Sequence, residues 1–394
     1  MVPEGWSRVG IEALFKRLRV TQVYDKKMAS DTGSVRILDQ SANGHIGYHN
    51  NDPDFRADID HPLVTFANHT CAVRLMKVSF SVIQNVFTLE ANPDVDRWFL
   101  FYTLDGAVQQ QGYRGHWPEV KRLQFLKPPL PEQKKIATIL GSVDKAIQAT
   151  QAVIDQTRKV KQGLLQQLLT RGIGHTRFKQ TEIGEIPEEW EVVQVGDIAD
   201  VIDPQPDHRT PPQVEIGIPY VGMGDIKKDG SIDFCKARVV SPAVLEKQIK
   251  SFAIHQGAFV FGKIGTIGNP AILPESRHFA LSANVVLITS DNLSIAEFLL
   301  PIMQSPLIDS QVHQQINTTS QPALGIKKVR KFYIPMPSTQ ELQMITRFFC
   351  LLDDSIAEQS KNLDHLISCK SGLMQDLLTG RVRVGTLNTA QKAI

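Results

Sequence analysis

Apolar residues between positions 136 and 168 recur at alternating steps of four and three. They are Ile136, Leu140, Val143, Ile147, Ile154, Leu164 and Leu168, and Thr150, Thr157 and Lys161 complete the series without a break. Such spacing lines one stripe of a helix, the a/d seam of a coiled coil. It returns at Ile345, Phe349, Leu352, Ile356, Leu363, Leu366, Leu373 and Leu377, with Gln359 and Lys370 as polar members. About 39 residues at 1.5 Å each predict a rod of roughly 58 Å, too long for a small globular core. Two such stripes in one chain are buried most simply on each other. Pro128, Pro129 and Pro131 favour a start near position 131, and Gly172 and Gly380 suit the two exits. Ser338-Thr339-Gln340-Glu341 reads as a capping box for the second helix.

The two helical segments also match residue by residue. GLLQQLLT at 163–170 returns as GLMQDLLT at 372–379, a shift of 209 residues. Without a gap, the same shift pairs Glu132 with Glu341, Ile136 with Ile345, Asp144 with Asp353, Asp155 with Asp364 and Lys161 with Lys370. A period this long means two copies of a domain-sized unit rather than a solenoid, whose units run to about 50 residues. VPEGW at 2–6 and IPEEW at 186–190 mark the two starts, with a shift of 184, so the stretch between differs in length. If a pseudo-twofold relates the copies, the helices run antiparallel. The matched polar seam residues (Thr150 with Gln359, Lys161 with Lys370) either fix the register or, for the lysines, snorkel.

The stretches between the helices follow a different pattern. IPYVGMGDI (218–226), GAFVFGKIGTIGNPAIL (257–273) and ALSANVVLI (280–288) are short apolar runs broken by Gly, Asn and Pro, which predict strands. IAEFLLPIMQS (295–305) predicts a short helix. The first body offers 63–75, 78–91 and 97–104 in a similar order. The expected fold class is α/β mixed, with two strand-rich bodies and two long helices.

The chain resembles the specificity (S) subunit of type I restriction–modification enzymes. The residues that carry the resemblance are VPEGW and IPEEW, PPLPEQKKIATIL with GLLQQLLT, IPYVGMGDI, and KIGTIGNPAIL followed by ALSANVVL. The resemblance covers essentially the whole chain. It departs at STQEL (338–342), which replaces the PEQ of the first copy, and at Ala67-Asn68-His69-Thr70-Cys71, which stands where the second body has Gly-Thr-x-Gly. It implies a target-recognition domain at 1–130, a conserved helix at 131–173, a second target-recognition domain at 174–336, a second helix at 337–382 and a tail at 383–394. It implies two target-recognition domains separated by antiparallel coiled-coil helices, a bipartite double-stranded DNA target, two methyltransferase subunits and motor-nuclease subunits as partners. S-adenosylmethionine, ATP and magnesium are then expected in those partners and no cofactor in this chain. A rod between two readers would act as a ruler on the spacer. The alternative is a coiled-coil protein-interaction adaptor without DNA readout.

Composition adds bounds. The 394 residues carry a net charge of only +2, so charge alone does not point to nucleic acid. By segment the balance is +1 over 1–127, +4 over 128–176, −3 over 177–334 and 0 over 335–394. No apolar run of about 18 residues exists to span a membrane, and no secretory signal is evident. Cys71, Cys235, Cys350 and Cys369 are scattered without a CxxC pair, which favours a reducing cytoplasm and argues against structural zinc.

No catalytic motif stands out. GAFVFGKI (257–264) falls short of a phosphate-binding loop, because Ile264 replaces the Ser/Thr that would hold magnesium and Ala-Phe-Val-Phe reads as strand. No HExxH, GxGxxG after a strand, or methyltransferase Asn-Pro-Pro-Tyr is present. Base reading needs Arg, Lys, Asn, Gln, Ser or Thr on exposed loops, with cations near for phosphate. The candidates in the first body are Lys26, Lys27, Arg36, Asn43, His69, Arg74, Arg114 and His116. Those in the second are His208, Arg209, Thr210, Lys227, Lys263, Thr318, Thr319, Ser320 and Gln321, with Lys327, Lys328 and Arg330 on the backbone.

Overall fold

A computed structural model describes residues 2–384, except 109, 111, 113, 208, 228, 229 and 317–322. The chain divides into two compact units, residues 1–152 with 360–394, and residues 153–359.

The first body holds strands β1 (Ser7–Val9), β2 (Phe15–Arg17), β3 (Val35–Leu38), β4 (His45–His49), β5 (Leu63–Ala67), β6 (Val73–Met76), β7 (Phe80–Val82), β8 (Val86–Ala91) and β9 (Phe125–Lys127). Helix α1 (Arg97–Leu104) and the short α2 (Trp117–Val120) follow β8. Asp96 starts α1 by accepting the N–H groups of Trp98 and Phe99. One sheet has the antiparallel order β2-β8-β5-β6, and a second has the order β4-β3-β7 with β3 and β7 parallel. Every residue of β5 is buried, as expected of a central strand covered on both faces. Strands β1 and β9 pair as a ribbon where the chain enters and leaves the body.

The first long helix, α3, runs Leu130–Arg171 and ends at Gly172, whose φ of +61° only glycine adopts freely. The second body holds β10 (Phe178–Thr181), β11 (Gly184–Pro187), β12 (Glu191–Gln194), β13 (Asp200–Ile202), β14 (Gln213–Val221), β15 (Arg238–Val240), β16 (Phe259–Gly262), β17 (Gly268–Ile272), β18 (Ala280–Leu281), β19 (Val285–Thr289) and β20 (Tyr333–Met336). Its helices are α4 (Val195–Ile198), α5 (Pro242–Ser251), α6 (Leu293–Met303), α7 (Pro306–Gln315) and α8 (Ile326–Arg330), before the second long helix α9 (Thr339–Leu378). The sheet order is β13-β19-β16-β17, beside β15-β14-β18 with β14 and β18 parallel. Strand for strand, this is the connectivity of the first body. β12 and β20 pair as β1 and β9 do. The hairpin β10–β11 has no counterpart among the described residues of the first body.

The stripe expected along α9 is seen in its burial. Phe349 and Leu377 are buried, and Leu352, Ile356, Leu363, Leu366 and Leu373 are half-buried, while most residues between them are exposed. Along α3, Ile136, Leu140 and Ile154 are buried and Val143 and Ile147 half-buried. At the end of α3 the expectation shifts by one residue. Leu165 and Leu169 are buried, whereas Leu164 and Leu168 are only half-buried. The reason is a second demand on that turn, since Leu165 and Leu169 belong to the core of the second unit with Trp190, Phe332 and Phe349.

In both units a tryptophan pins the start of a long helix. Trp6 Nε1 donates to Glu132 at 2.9 Å, and Trp190 Nε1 donates to Glu341 at 2.8 Å. These are the tryptophans of the two Pro-Glu-x-Trp motifs. Burial alone would raise the Glu132 carboxyl; the Arg383 guanidinium and the Trp6 N–H outweigh it and hold the group below the usual range. The capping box expected at 338–341 is half formed. Ser338 accepts the Glu341 N–H at 3.3 Å, but the Glu341 carboxylate turns away to Trp190, His175 and the Ile173 N–H.

Candidate nucleic-acid interface

In the first body, two loops at one end of the sheets are stitched together. The β5–β6 loop (68–72) and the adjoining Arg74 of β6 meet the β3–β4 loop (39–44) through four bonds. Thr70 Oγ1 donates to the Gln40 carbonyl, and the His69 N–H donates to Gln40 Oε1 at 3.0 Å. Arg74 Nη2 donates to the Asp39 carbonyl at 2.7 Å and to its carboxylate at 3.2 Å. Cys71 sits at φ +58°, a left-handed residue that closes the hairpin with its N–H on the Ala67 carbonyl. Asn68 reaches the other way, where its Oδ1 accepts the Trp117 N–H and its carbonyl accepts the His116 N–H.

The corresponding position of the second body is Lys263. The Lys263 N–H bonds the Asn284 carbonyl as that of Asn68 bonds Asn85, and its carbonyl accepts the Leu324 N–H as that of Asn68 accepts His116. The side chains differ, for Lys263 Nζ lies 2.6 Å from Asp203 at 4 % exposure. The backbone frame is kept while the side chain changes. At the nearby Gly262, a Cβ would meet the Thr266 carbonyl at 2.1 Å, so this hairpin admits only glycine there. Residues 259–262 are strand β16, as the failed phosphate-loop pattern implied.

The candidates separate into three groups. Lys26 and Lys27 are exposed on the β2–β3 connection, where Asp25 caps a short turn, and Arg209 and Thr210 are exposed on the equivalent β13–β14 connection. Arg36 and Asn43 are exposed, and Lys227 is exposed beside Asp233 at 3.8 Å. His69 is half-buried, and Arg114 is exposed but pairs with Glu119 at 2.6 Å. Lys327 is exposed, Lys328 donates to the Gln315 carbonyl at 2.6 Å, and Arg330 donates to the Val201 carbonyl at 2.8 Å.

Three candidates are interior, against the expectation of exposed loop residues. Arg74 is 9 % exposed, and burial lowers its pKa, the Asp39 carboxylate opposing the shift. His116 is fully buried, and Lys263 is locked to Asp203. Each is taken inside by a bond to a neighbouring loop, so they shape the loops rather than stand on them. His208, Thr318, Thr319, Ser320 and Gln321 lie outside the described residues, as does most of the tail at 383–394.

Sequence reasoning missed Gln40 and Thr70, which join the loops, and Lys331, which extends the basic run of α8. Lys331 was legible as the neighbour of Arg330; Gln40 carried no signal, because its partner lies 30 residues away. Among the described residues no group of three His, Cys, Asp or Glu side chains could hold a metal ion. Among the same residues no helix is long and apolar enough to cross a membrane.

A profile of the family described as Type I restriction modification DNA specificity domain matches residues 187–365. The match spans the second body and most of α9. The chain is 27% identical over 320 residues to the type I restriction enzyme MjaVIII specificity subunit of Methanocaldococcus jannaschii, covering 76% of this chain and 73% of that protein. The chain is thus similar to type I specificity subunits over most of its length, with the DNA specificity domain matched at residues 187–365. A second relative from the same organism, the putative type I restriction enzyme MjaX specificity subunit, is 26% identical over 72% of this chain and 65% of its own length. The fold agrees with that of the type I restriction–modification S subunit from M. genitalium, with a TM-score of 0.58 at 17% identity over 95% of this chain and 96% of that one. In this chain the Pro-Glu-x-Trp motif has a structural meaning in both bodies, since its tryptophan docks the start of the long helix that follows that body.

Proposed function

We propose that this chain is a type I specificity subunit that reads a bipartite DNA target, one block per body, and carries no reaction of its own. The observation behind this reading is the pairing of one connectivity with two sets of loops. Both bodies share the sheet orders and the backbone bonds around Asn68 and Lys263, while the side chains on the connecting loops differ. A shared frame with divergent loops suits two readers of different sequence. The exposed Lys26, Lys27, Arg36, Asn43, Arg209 and Thr210 then face DNA, and Arg74, His116 and Lys263 position the loops.

The two halves are copies of one unit related by a pseudo-twofold, with α3 and α9 as an antiparallel coiled coil. The matched contacts 209 residues apart support this. Lys161 meets Asp353 at 2.6 Å in one unit, and Lys370 meets Asp144 at 2.8 Å in the other. Two equivalent helical surfaces are suited to two methyltransferase subunits, with motor-nuclease subunits completing the assembly. S-adenosylmethionine, ATP and magnesium belong to those partners.

Purification with the methyltransferase, followed by titration of duplexes, tests the reading. Retention of two methyltransferase copies per chain and salt-sensitive, sequence-selective binding are expected. Binding that ignores sequence would point to a protein adaptor instead.

A further inference from the structure

A basic cleft lies on the second body, between α4 and α8. Its volume is about 400 Å³, and Gln194, Gly196, Asp197, Lys327, Lys328, Arg330 and Lys331 line it. Gly196 lets the two elements close up, because a Cβ there would meet Arg330 Cβ at 3.0 Å. Two of the four cations are committed to the fold, with Lys328 on the Gln315 carbonyl at the end of α7 and Arg330 on the Val201 carbonyl of β13. The single acid, Asp197, accepts the N–H of Gln194. Lys327, in α8, and Lys331, just after it, remain; both are exposed and line the cleft, and neither joins an ion pair among the described residues.

The cleft is placed beside the loops. Ala323 bridges to Ile264 in the β16–β17 hairpin, the Leu324 N–H bonds the Lys263 carbonyl, and the chain runs from there directly into α8. Its counterpart in the first body is different. A shift of 209 aligns the buried Val329 with the buried Val120, and sets Lys327, Lys328, Arg330 and Lys331 against Pro118, Glu119, Lys121 and Arg122. There Glu119 pairs with Arg114. Four cations in the second body thus stand against two and an acid in the first.

We propose that this cleft grips DNA backbone phosphates beside the block read by the second body, and that it does so without reading sequence. Lys327 and Lys331 supply the contacting charges, while Lys328 and Arg330 hold α8 in place and add to the local positive potential. The grip belongs to one side of the target only. The proposal rests on the DNA-reading assignment above.

The test uses the full chain assembled with its methyltransferase, carrying Lys327→Gln with Lys331→Gln, and as a control Lys327→Arg with Lys331→Arg. Binding to a cognate duplex and to a scrambled duplex is measured across salt concentrations, with phosphate-ethylation interference on the cognate duplex. Each phosphate neutralised contributes about 0.9 to the slope of log affinity against log salt, so the Gln variant should lose about 1.8 of slope. The loss should be equal on both duplexes, with the methylated motif unchanged. Interference should disappear only at the block of the second body, and the Arg control should behave as the parent. An unchanged slope, an equal loss at both blocks, or weakened methyltransferase assembly with DNA affinity intact would overturn the cleft assignment. If the parent assembly itself shows no preference for the cognate duplex, the DNA-reading assignment fails instead, and the two failures are distinct.

Discussion

The Nζ of Lys161 lies 2.6 and 2.8 Å from the two carboxylate oxygens of Asp353. Both residues have counterparts 209 positions away, and those counterparts, Lys370 and Asp144, make the same pair with the roles of the helices exchanged. Each lysine in the polar gap of one stripe is thus paired with an aspartate of the other long helix. Lys370 also lies over the Tyr102 ring, whose hydroxyl donates to Asp144 at 2.7 Å. Burial first, then the Asp144 carboxylate, pushes the Tyr102 phenol well above its ordinary range.

A double-mutant cycle on Lys161 and Asp353 should give a coupling of about 0.5–1 kcal/mol, the range of partly exposed pairs. The Lys370–Asp144 pair, less exposed on its acid, should give at least as much. Urea unfolding of the four variants in each cycle measures it. Zero coupling in both would remove register-setting from the account.

Replacing Glu341 should be costly. Its carboxylate accepts Trp190 Nε1 and the Ile173 N–H, and Trp190 is almost fully buried. Glu341→Ala leaves those donors unsatisfied, at a cost of about 2–4 kcal/mol, and Glu341→Gln costs less because its amide oxygen still accepts. Chemical denaturation followed by tryptophan fluorescence should order the variants in this way.

Glu132 sets a pH dependence. Its pKa in the folded chain is held below the ordinary 4.5 by Arg383 and Trp6 against the opposing effect of burial. The stabilisation is complete above that ordinary value and is lost as pH falls through the lower folded value. Stability measured between pH 6 and pH 3 (roughly the window set by ordinary carboxyl values) should fall less steeply in Glu132→Gln. An unchanged acid limb would show that other carboxyls carry the effect.

Two glycines inside the long helices should be improvable. A Cβ at Gly163 or Gly372 meets nothing within 4 Å. Each Gly→Ala change there should add about 0.5–1 kcal/mol through backbone entropy. Gly172→Ala should do the opposite, since φ is +61° and the new Cβ would meet Glu341, His175 and Trp190 at 2.6–2.7 Å. Melting temperatures of the three variants check both signs.

Much of the fold was legible because its strongest signals are local. The spacing from Ile345 to Leu377 defines one face of a helix without reference to any partner, and that face is the less exposed one. The prolines at 128–131 and the glycines at 172 and 380 mark helix ends through backbone sterics alone. Leu165 and Leu169 were not legible, because their burial depends on a body folded from distant sequence. The same limit applies to the candidate interface. Lys263 and Arg74 look like surface cations in a sequence; only the folded chain brings Asp203 to one and Asp39 to the other. Exposed residues such as Asn43 and Thr210 could be named from chemistry, since a short polar loop gives them no interior partner.

The most direct test of the account is a methylation map of the host genome by single-molecule sequencing, with the gene intact and deleted. Deletion should abolish methylation at one bipartite motif, two short blocks around a fixed gap, and leave every other motif unchanged. A protein exchanging only its second body should alter one block and keep the other. An exchange of the second body that changes both blocks, or a continuous motif without a gap, would contradict the assignment of one reader to each body.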